Sequence, residues 1–127
     1  MKPSFWIAVG AVFAFLSVAF GAFGAHALAD RLHGRAGEIY HTAAQYQMYH
    51  ALALVALGLY GGWQVEPGSS GLAQTAGWAF LAGNLIFSGS LYALALTDIK
   101  ILGAITPIGG VGYLIGWACF VLLAVKT

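Results

Sequence analysis

The chain has 127 residues, of which 61% are hydrophobic and only 7% charged, with a formal net charge of +1. A water-soluble domain carries about 25% charged residues, and a chain this apolar has too little polar surface to cover itself in water. The near-zero net charge also leaves no basic stripe for nucleic acid, so a lipid bilayer is the expected solvent and partner.

Four apolar segments follow in order, at about 5–25, 43–63, 72–96 and 101–125. Each approaches the ~20 residues a helix needs to cross a hydrocarbon core of ~30 Å. Open sheet edges cannot face lipid, and the blocks lack period-two alternation. The expectation is therefore an all-α, polytopic membrane protein: one domain, folded as an antiparallel four-helix transmembrane bundle. All nine charged residues fall between or outside the apolar blocks: Lys2, Asp30, Arg31, Arg35, Glu38, Glu66, Asp98, Lys100 and Lys126.

The first segment begins after Lys2, and Ala25-His26-Ala27 imitates a signal-peptidase site. Its apolar run exceeds the usual ~7–15 residues of a secretory signal, and three more segments follow, so it reads as a retained span. Gly10, Ala14, Ser17, Gly21 and Gly24 recur at spacings of four and three. Such a small face lets two helices approach closely in lipid. The connector that follows is the polar part of the chain. HALADRLH (26–33) reads as a continuation of the first helix along the interface, ended by Gly34. His26 and Asp30 are its interface polar groups. With His33 they could share a helical face as metal ligands, but Gly34 frays that helix, and no metal is expected.

The second segment opens with YHTAAQYQMYHALAL (40–54), unusually rich in hydrogen-bonding groups. On a helix Ala43, Gln47, His50 and Leu54 form one face, with Tyr46 beside it. Tyr40, His41 and Gln45 are expected near the headgroups, and His50 about ten residues inside the helix. A neutral imidazole at that depth needs one donor and one acceptor. Tyr46, Gln47, and Asn84 or Ser88 are the partners expected to supply them.

A turn-rich linker, QVEPGSSG (64–71), leads to the third segment. There Gly77, Asn84 and Ser88 share a face, with Tyr92 one turn further on. Asn84 falls near mid-bilayer, where an unpaired amide costs several kcal/mol, so it is expected to face another helix, a water or a ligand. TDIK (97–100) forms a tight charged turn. The fourth segment carries a second small stripe, Gly109, Gly112, Gly116 and Cys119. The seams could lie within one chain or between chains. Cys119, the lone cysteine, reads as a packing residue. TPIGG (106–110) either breaks the helix or holds a first-turn proline.

With four spans both termini lie on one side. Lys2 and Lys126 stand against Arg31, Arg35 and Lys100, and the positive-inside rule then favours termini outside the cytoplasm. No phosphate loop, nucleophile elbow or zinc-protease motif appears, no haem pair of histidines is in register, and no cofactor is expected.

GAFGAHAL (21–28), YQMYHALAL (46–54), FSGSLYAL (87–94) and TPIGG with a later GW (106–110, 116–117) resemble the YgdD/YwdK-like family. These are small bacterial inner-membrane proteins grouped as a domain of unknown function, with short eukaryotic transmembrane relatives. The resemblance covers nearly the whole chain. It implies a four-span protein of the bacterial inner (plasma) membrane and supplies no catalytic residues. Two functional classes then remain. One is a non-enzymatic bundle that packs against itself, as a homo-oligomer, or against a larger membrane partner. The alternative is a site for binding or transport of a small molecule or lipid, as in a minimal transporter, lined by Tyr46, Gln47, His50, Asn84, Ser88 and Tyr92. An enzyme is the least favoured.

Overall fold

The computed structural model describes residues 2–63 and 70–126. Helices run in the order α1 (Pro3–His26), α2 (Gly34–Trp63), α3 (Ser70–Gly83), a π-helical turn (Asn84–Ser88), α4 (Gly89–Thr97) and α5 (Leu102–Lys126). No strand occurs among the described residues. The π-turn joins α3 to α4 without a break, since Gly83 and Gly89 on either side keep ordinary helical angles. The chain therefore builds four rods, as an all-α bundle.

Three of these rods are long and apolar enough to cross a membrane: Pro3–His26, Gly71–Thr97 and Leu102–Lys126. The other rod, α2, is the longest at 30 residues, but Gln45, Gln47 and His50 dilute its apolar character. It begins at Gly34, well before the apolar run that opens at Ala43. The 64–71 linker falls almost wholly outside the described residues.

Residue pairs across the seams fix the directions. Going up α1, Gly24 meets Tyr40 and Gly10 meets Ala51 and Val55, so α1 and α2 are antiparallel. Tyr40 and Tyr92 touch, as do Ala43 and Ser88, so α2 and the α3–α4 rod are antiparallel. Gly83 meets Gly109 and Phe80 meets Gly116, which reverses the direction again. Most of both small stripes is consumed inside the chain. A Cβ at Gly10 would stand 2.6 Å from the Ala51 carbonyl oxygen. A Cβ at Gly109 would collide with the Phe87 backbone in the π-turn, so the wider turn is accommodated by the missing side chain opposite. Gly112 and Gly116 continue this seam against Ala79, Gly83 and Phe80.

Two members of the first stripe fall outside its seam. A Cβ at Gly21 would meet nothing within 4 Å, and Ala14 lines a shallow outward groove with Phe15, Val18 and Met48. The reason is geometric: Gly10, Ser17 and Gly24 are seven apart and point at α2, while Ala14 and Gly21 each lie four residues further on, about 40° round the helix.

At one end Trp6, Leu54, Leu57, Phe80 and Leu123 form the apolar core. Trp6 fills the space over Gly77 and stands edge-on to Phe5 and Trp78. Its buried indole N–H has no acceptor among the described residues. Cys119 packs against this core as a half-buried free thiol. Outside, Phe15, Val18, Leu114 and Val125 are exposed, as a lipid-facing surface requires.

The connectors revise three expectations. α1 stops at His26, and residues 27–31 form turns in which the Leu28 N–H reaches back to the Phe23 carbonyl. The interfacial helix over 26–33 is therefore absent, and His33 is no longer in register with His26 and Asp30. Gly34, at φ +54°, opens α2, where only glycine takes that angle freely. Pro107 neither breaks α5 nor sits in its first turn; it lies inside a continuous helix. The residue four before it is Gly103, and the Thr106 hydroxyl donates to the Leu102 carbonyl at 3.1 Å, steadying this turn of the helix. In the 97–100 turn Asp98 takes a left-handed φ of 58° and its N–H closes on the Leu94 carbonyl at 2.8 Å.

Filling the second seam should be costly and filling the outward position should not. Gly109→Ala is expected to lower stability by about 1–3 kcal/mol, the usual range for overpacking, while Gly21→Ala leaves it nearly unchanged. Thermal unfolding of both variants in the same detergent compares them directly.

Candidate functional site

The polar residues singled out on α2 all lie near the middle of the bundle, but they divide between two faces. Ala43, Gln47, His50 and Leu54 are buried, as their spacing predicts. Tyr46 is partly exposed at 38%. Gln45, expected near the headgroups, lies two residues from Gln47, at the level where the rods are joined. Tyr40, also expected near the headgroups, is buried with its ring over Gly24, and its hydroxyl donates to the Phe20 carbonyl at 2.6 Å.

Gln47 spans the bundle. Its Nε2 donates to the Phe13 carbonyl on α1 at 2.9 Å, and its Oε1 accepts from the Tyr92 hydroxyl on α4 at 2.7 Å. A carbonyl can only accept, so the orientation of the amide follows from its neighbours. The Gln47 backbone carbonyl takes a longer bond, 3.4 Å, from Asn84 Nδ2. Asn84 Oδ1 in turn accepts from the Tyr113 hydroxyl on α5 at 2.6 Å. One residue level thus links all four rods.

Ser88 Oγ donates to the Ala43 carbonyl at 2.8 Å. It also lies 3.4 Å from the Tyr113 hydroxyl. Both protons are already committed, to Ala43 and to Asn84, so this second contact carries little. Asn84 and Ser88 stand at the two ends of the π-turn, and both bond α2, through the Gln47 and Ala43 carbonyls. A turn further along, the Ser90 and Thr106 hydroxyls meet at 2.6 Å and Ser17 donates to the Ala44 carbonyl at 2.8 Å.

His50 is satisfied differently from the sequence expectation. Nδ1 lies 2.8 Å from the Tyr46 backbone carbonyl, and Nε2 receives the Trp117 indole N–H at 3.0 Å. The carbonyl demands a proton on Nδ1 and the indole demands a bare Nε2, so the ring is the neutral Nδ1–H tautomer. Its face stacks on Tyr113 with centroids 3.5 Å apart and planes within 7°. Gln47, Asn84 and Ser88 do not touch it through hydrogen bonds. Tyr113 and Trp117 are the site residues that sequence reasoning missed. A signal existed: two aromatic residues with polar atoms, four apart, in phase with Gly109 and Gly116 in the middle of a span.

His26 and Asp30 are exposed and stand apart from this cluster. No group of three or more potential metal ligands occurs among the described residues.

Four helical rods, an apolar exterior and a polar centre closed by interhelical hydrogen bonds define a polytopic α-helical membrane protein. The chain belongs to the family described as Protein of unknown function (DUF423), whose profile matches residues 20–110. It is 46% identical over 121 residues to the UPF0382 membrane protein YwdK of Bacillus subtilis, covering 95% of this chain and 96% of that one. It is 47% identical over 121 residues to a UPF0382 membrane protein of Staphylococcus epidermidis, covering 95% of each. The family resemblance read from the four motifs is thereby established. No solved structure matches.

The His50–Trp117 bond has a signed test. Trp117→Phe leaves a buried ring nitrogen without its donor, a loss of about 1–3 kcal/mol. Adding His50→Phe removes the orphaned nitrogen as well, and the double variant should regain part of that loss. A double-mutant cycle on thermal unfolding in detergent measures the coupling; additive losses would mean that the bond contributes nothing.

Proposed function

We propose that the protein is a non-enzymatic bundle that works by packing in the membrane, as an accessory or assembly component. The observation that carries this reading is the closure of the polar centre. Gln47, His50, Asn84, Ser88 and Tyr113 spend their hydrogen bonds on one another, on Tyr92 and Trp117, and on backbone carbonyls. A substrate or an ion would have to break such bonds to find a partner. Interhelical bonds of this kind contribute about 0.6–2 kcal/mol each, and here they act as internal glue.

On this reading α2 is the fourth span. Its length suffices, it runs beside α1 along its whole course, and its polar groups face other helices at mid-depth. The membrane is the bacterial inner (plasma) membrane. The charge balance of Arg31, Arg35 and Lys100 against Lys2 and Lys126 puts both termini outside the cytoplasm.

Native mass spectrometry in native-lipid nanodiscs tests the packing function. His50→Ala should lower the melting temperature and leave the mass unchanged apart from the substitution. A stoichiometric extra mass on the parent chain, lost in His50→Ala, would instead make the cluster a ligand site. Orientation has its own check: alkaline phosphatase fused after Lys126 should be active, since that enzyme matures only outside the cytoplasm. An inactive fusion at normal expression would reverse the topology.

A further inference from the structure

The polar opening of α2 has a second half that the closed cluster does not absorb. Depth comes first. Gln47 bonds Phe13, in the middle of Pro3–His26, and Asn84, at the centre of Gly71–Thr97. Asn84 then bonds Tyr113, close to the middle of Leu102–Lys126. The Gln47 level is therefore the mid-depth of three rods at once. Gln45 and Tyr49 lie two residues to either side, about 3 Å along the axis.

Both are exposed, Tyr49 at 49%. Neither side chain has a hydrogen-bond partner among the described residues. An amide left unpaired in hydrocarbon costs several kcal/mol. The two residues also belong to a line. Gln45, Tyr49, Leu52, Ala56 and Leu59 follow at spacings of four, three, four and three, and all five are exposed. That is the repeat of a helix–helix seam, running along the outside of a bundle whose small-residue stripes are already used internally.

We propose that this outward face of α2 is an interface with a second copy of the chain, related by a two-fold axis along the membrane normal. The proposal rests on the reading of the protein as a packing bundle and names the surface and the partner. Copies inserted by the same route share one orientation, so such an axis brings α2 against α2 in parallel. Each residue then meets its equivalent at equal depth. The chemistry suits that operation. A glutamine amide both donates and accepts, so Gln45 can pair with Gln45 of the partner subunit. A tyrosine hydroxyl does both as well, so Tyr49 can join the same network. Leu52, Ala56 and Leu59 would continue the contact as apolar packing. The line's nearest formal charge, Glu38, is about 10 Å along the axis from Gln45, toward the headgroups and out of the dry part of the seam.

Cysteine crosslinking in native membranes tests this, on a Cys119→Ala background so that each variant has one thiol. Gln45→Cys and Tyr49→Cys should each give a disulfide-linked dimer under mild oxidation. Leu114→Cys, at a similar depth on the lipid face of α5 and 70% exposed, should give several-fold less. Equal or greater crosslinking at Leu114 overturns the proposal. As a second arm, Gln45→Leu with Tyr49→Phe should convert a dimeric native mass to a monomeric one while the melting temperature of the bundle is kept. A parent chain that is monomeric in nanodiscs, with a different protein crosslinked at position 45, overturns the self-pairing and leaves the packing function standing. A monomer with no protein partner and a constant small-molecule mass overturns both.

Discussion

Everything in this bundle answers to one constraint: water is absent at mid-depth, so each polar group there must find its partner in protein. Gln47 meets the constraint most fully. Its side-chain amide joins α1 to α4, while its backbone carbonyl receives Asn84, which reaches on to α5. Shifting any rod by one residue along its axis would break this level. The bonds thereby set register in a medium where apolar faces alone discriminate weakly, since lipid tails are as apolar as leucine.

The glycine seams make that level possible. Hydrogen bonds between helices need backbones close enough for short side chains to reach across. Gly10 and Gly24 let α2 approach α1, and Gly109, Gly112 and Gly116 let α5 approach the α3–π–α4 rod. At the tightest point the two devices coincide: Gly109 faces Phe87 within the π-turn, and the same turn presents Asn84 and Ser88. Packing and polar pairing are thus coupled, and loss of one seam would misplace the donors of the other.

Function follows from what the interior leaves over. The inward half of the α2 polar segment is closed, and His50 is held as a neutral ring between the Tyr46 carbonyl and the Trp117 indole. That arrangement suits a structural role better than proton transfer, because both ring nitrogens are occupied. The outward half, Gln45 and Tyr49, is the part still open to another molecule. A helix with two polar faces at mid-depth is ordinary in the centre of an assembly and costly at its edge.

Much of this was legible in the sequence. Composition and block length dictate a membrane solvent, because 7% charge cannot clothe the chain in water. Helical spacing alone places Ala43, Gln47, His50 and Leu54 on one buried face, and places Asn84 and Ser88 toward other helices. The four motifs point to the family. Spacing within one segment is a local property, and the 3.6-residue period carries it. What faces what across the bundle is not local. Only the tertiary structure decided that Gly10, Ser17 and Gly24 of the first stripe and Gly109, Gly112 and Gly116 of the second are spent within the chain, and that Gly21 is not. It also gave His50 Nε2 its donor in Trp117 on the last rod, beside the local bond of Nδ1 to the Tyr46 carbonyl. The bonds of Gln47 to other rods place Gln45, two residues away, beside the central polar level, and those bonds lie between distant parts of the chain. The π-turn was equally hidden: the room beside its Phe87 backbone is left by Gly109, a residue of another rod.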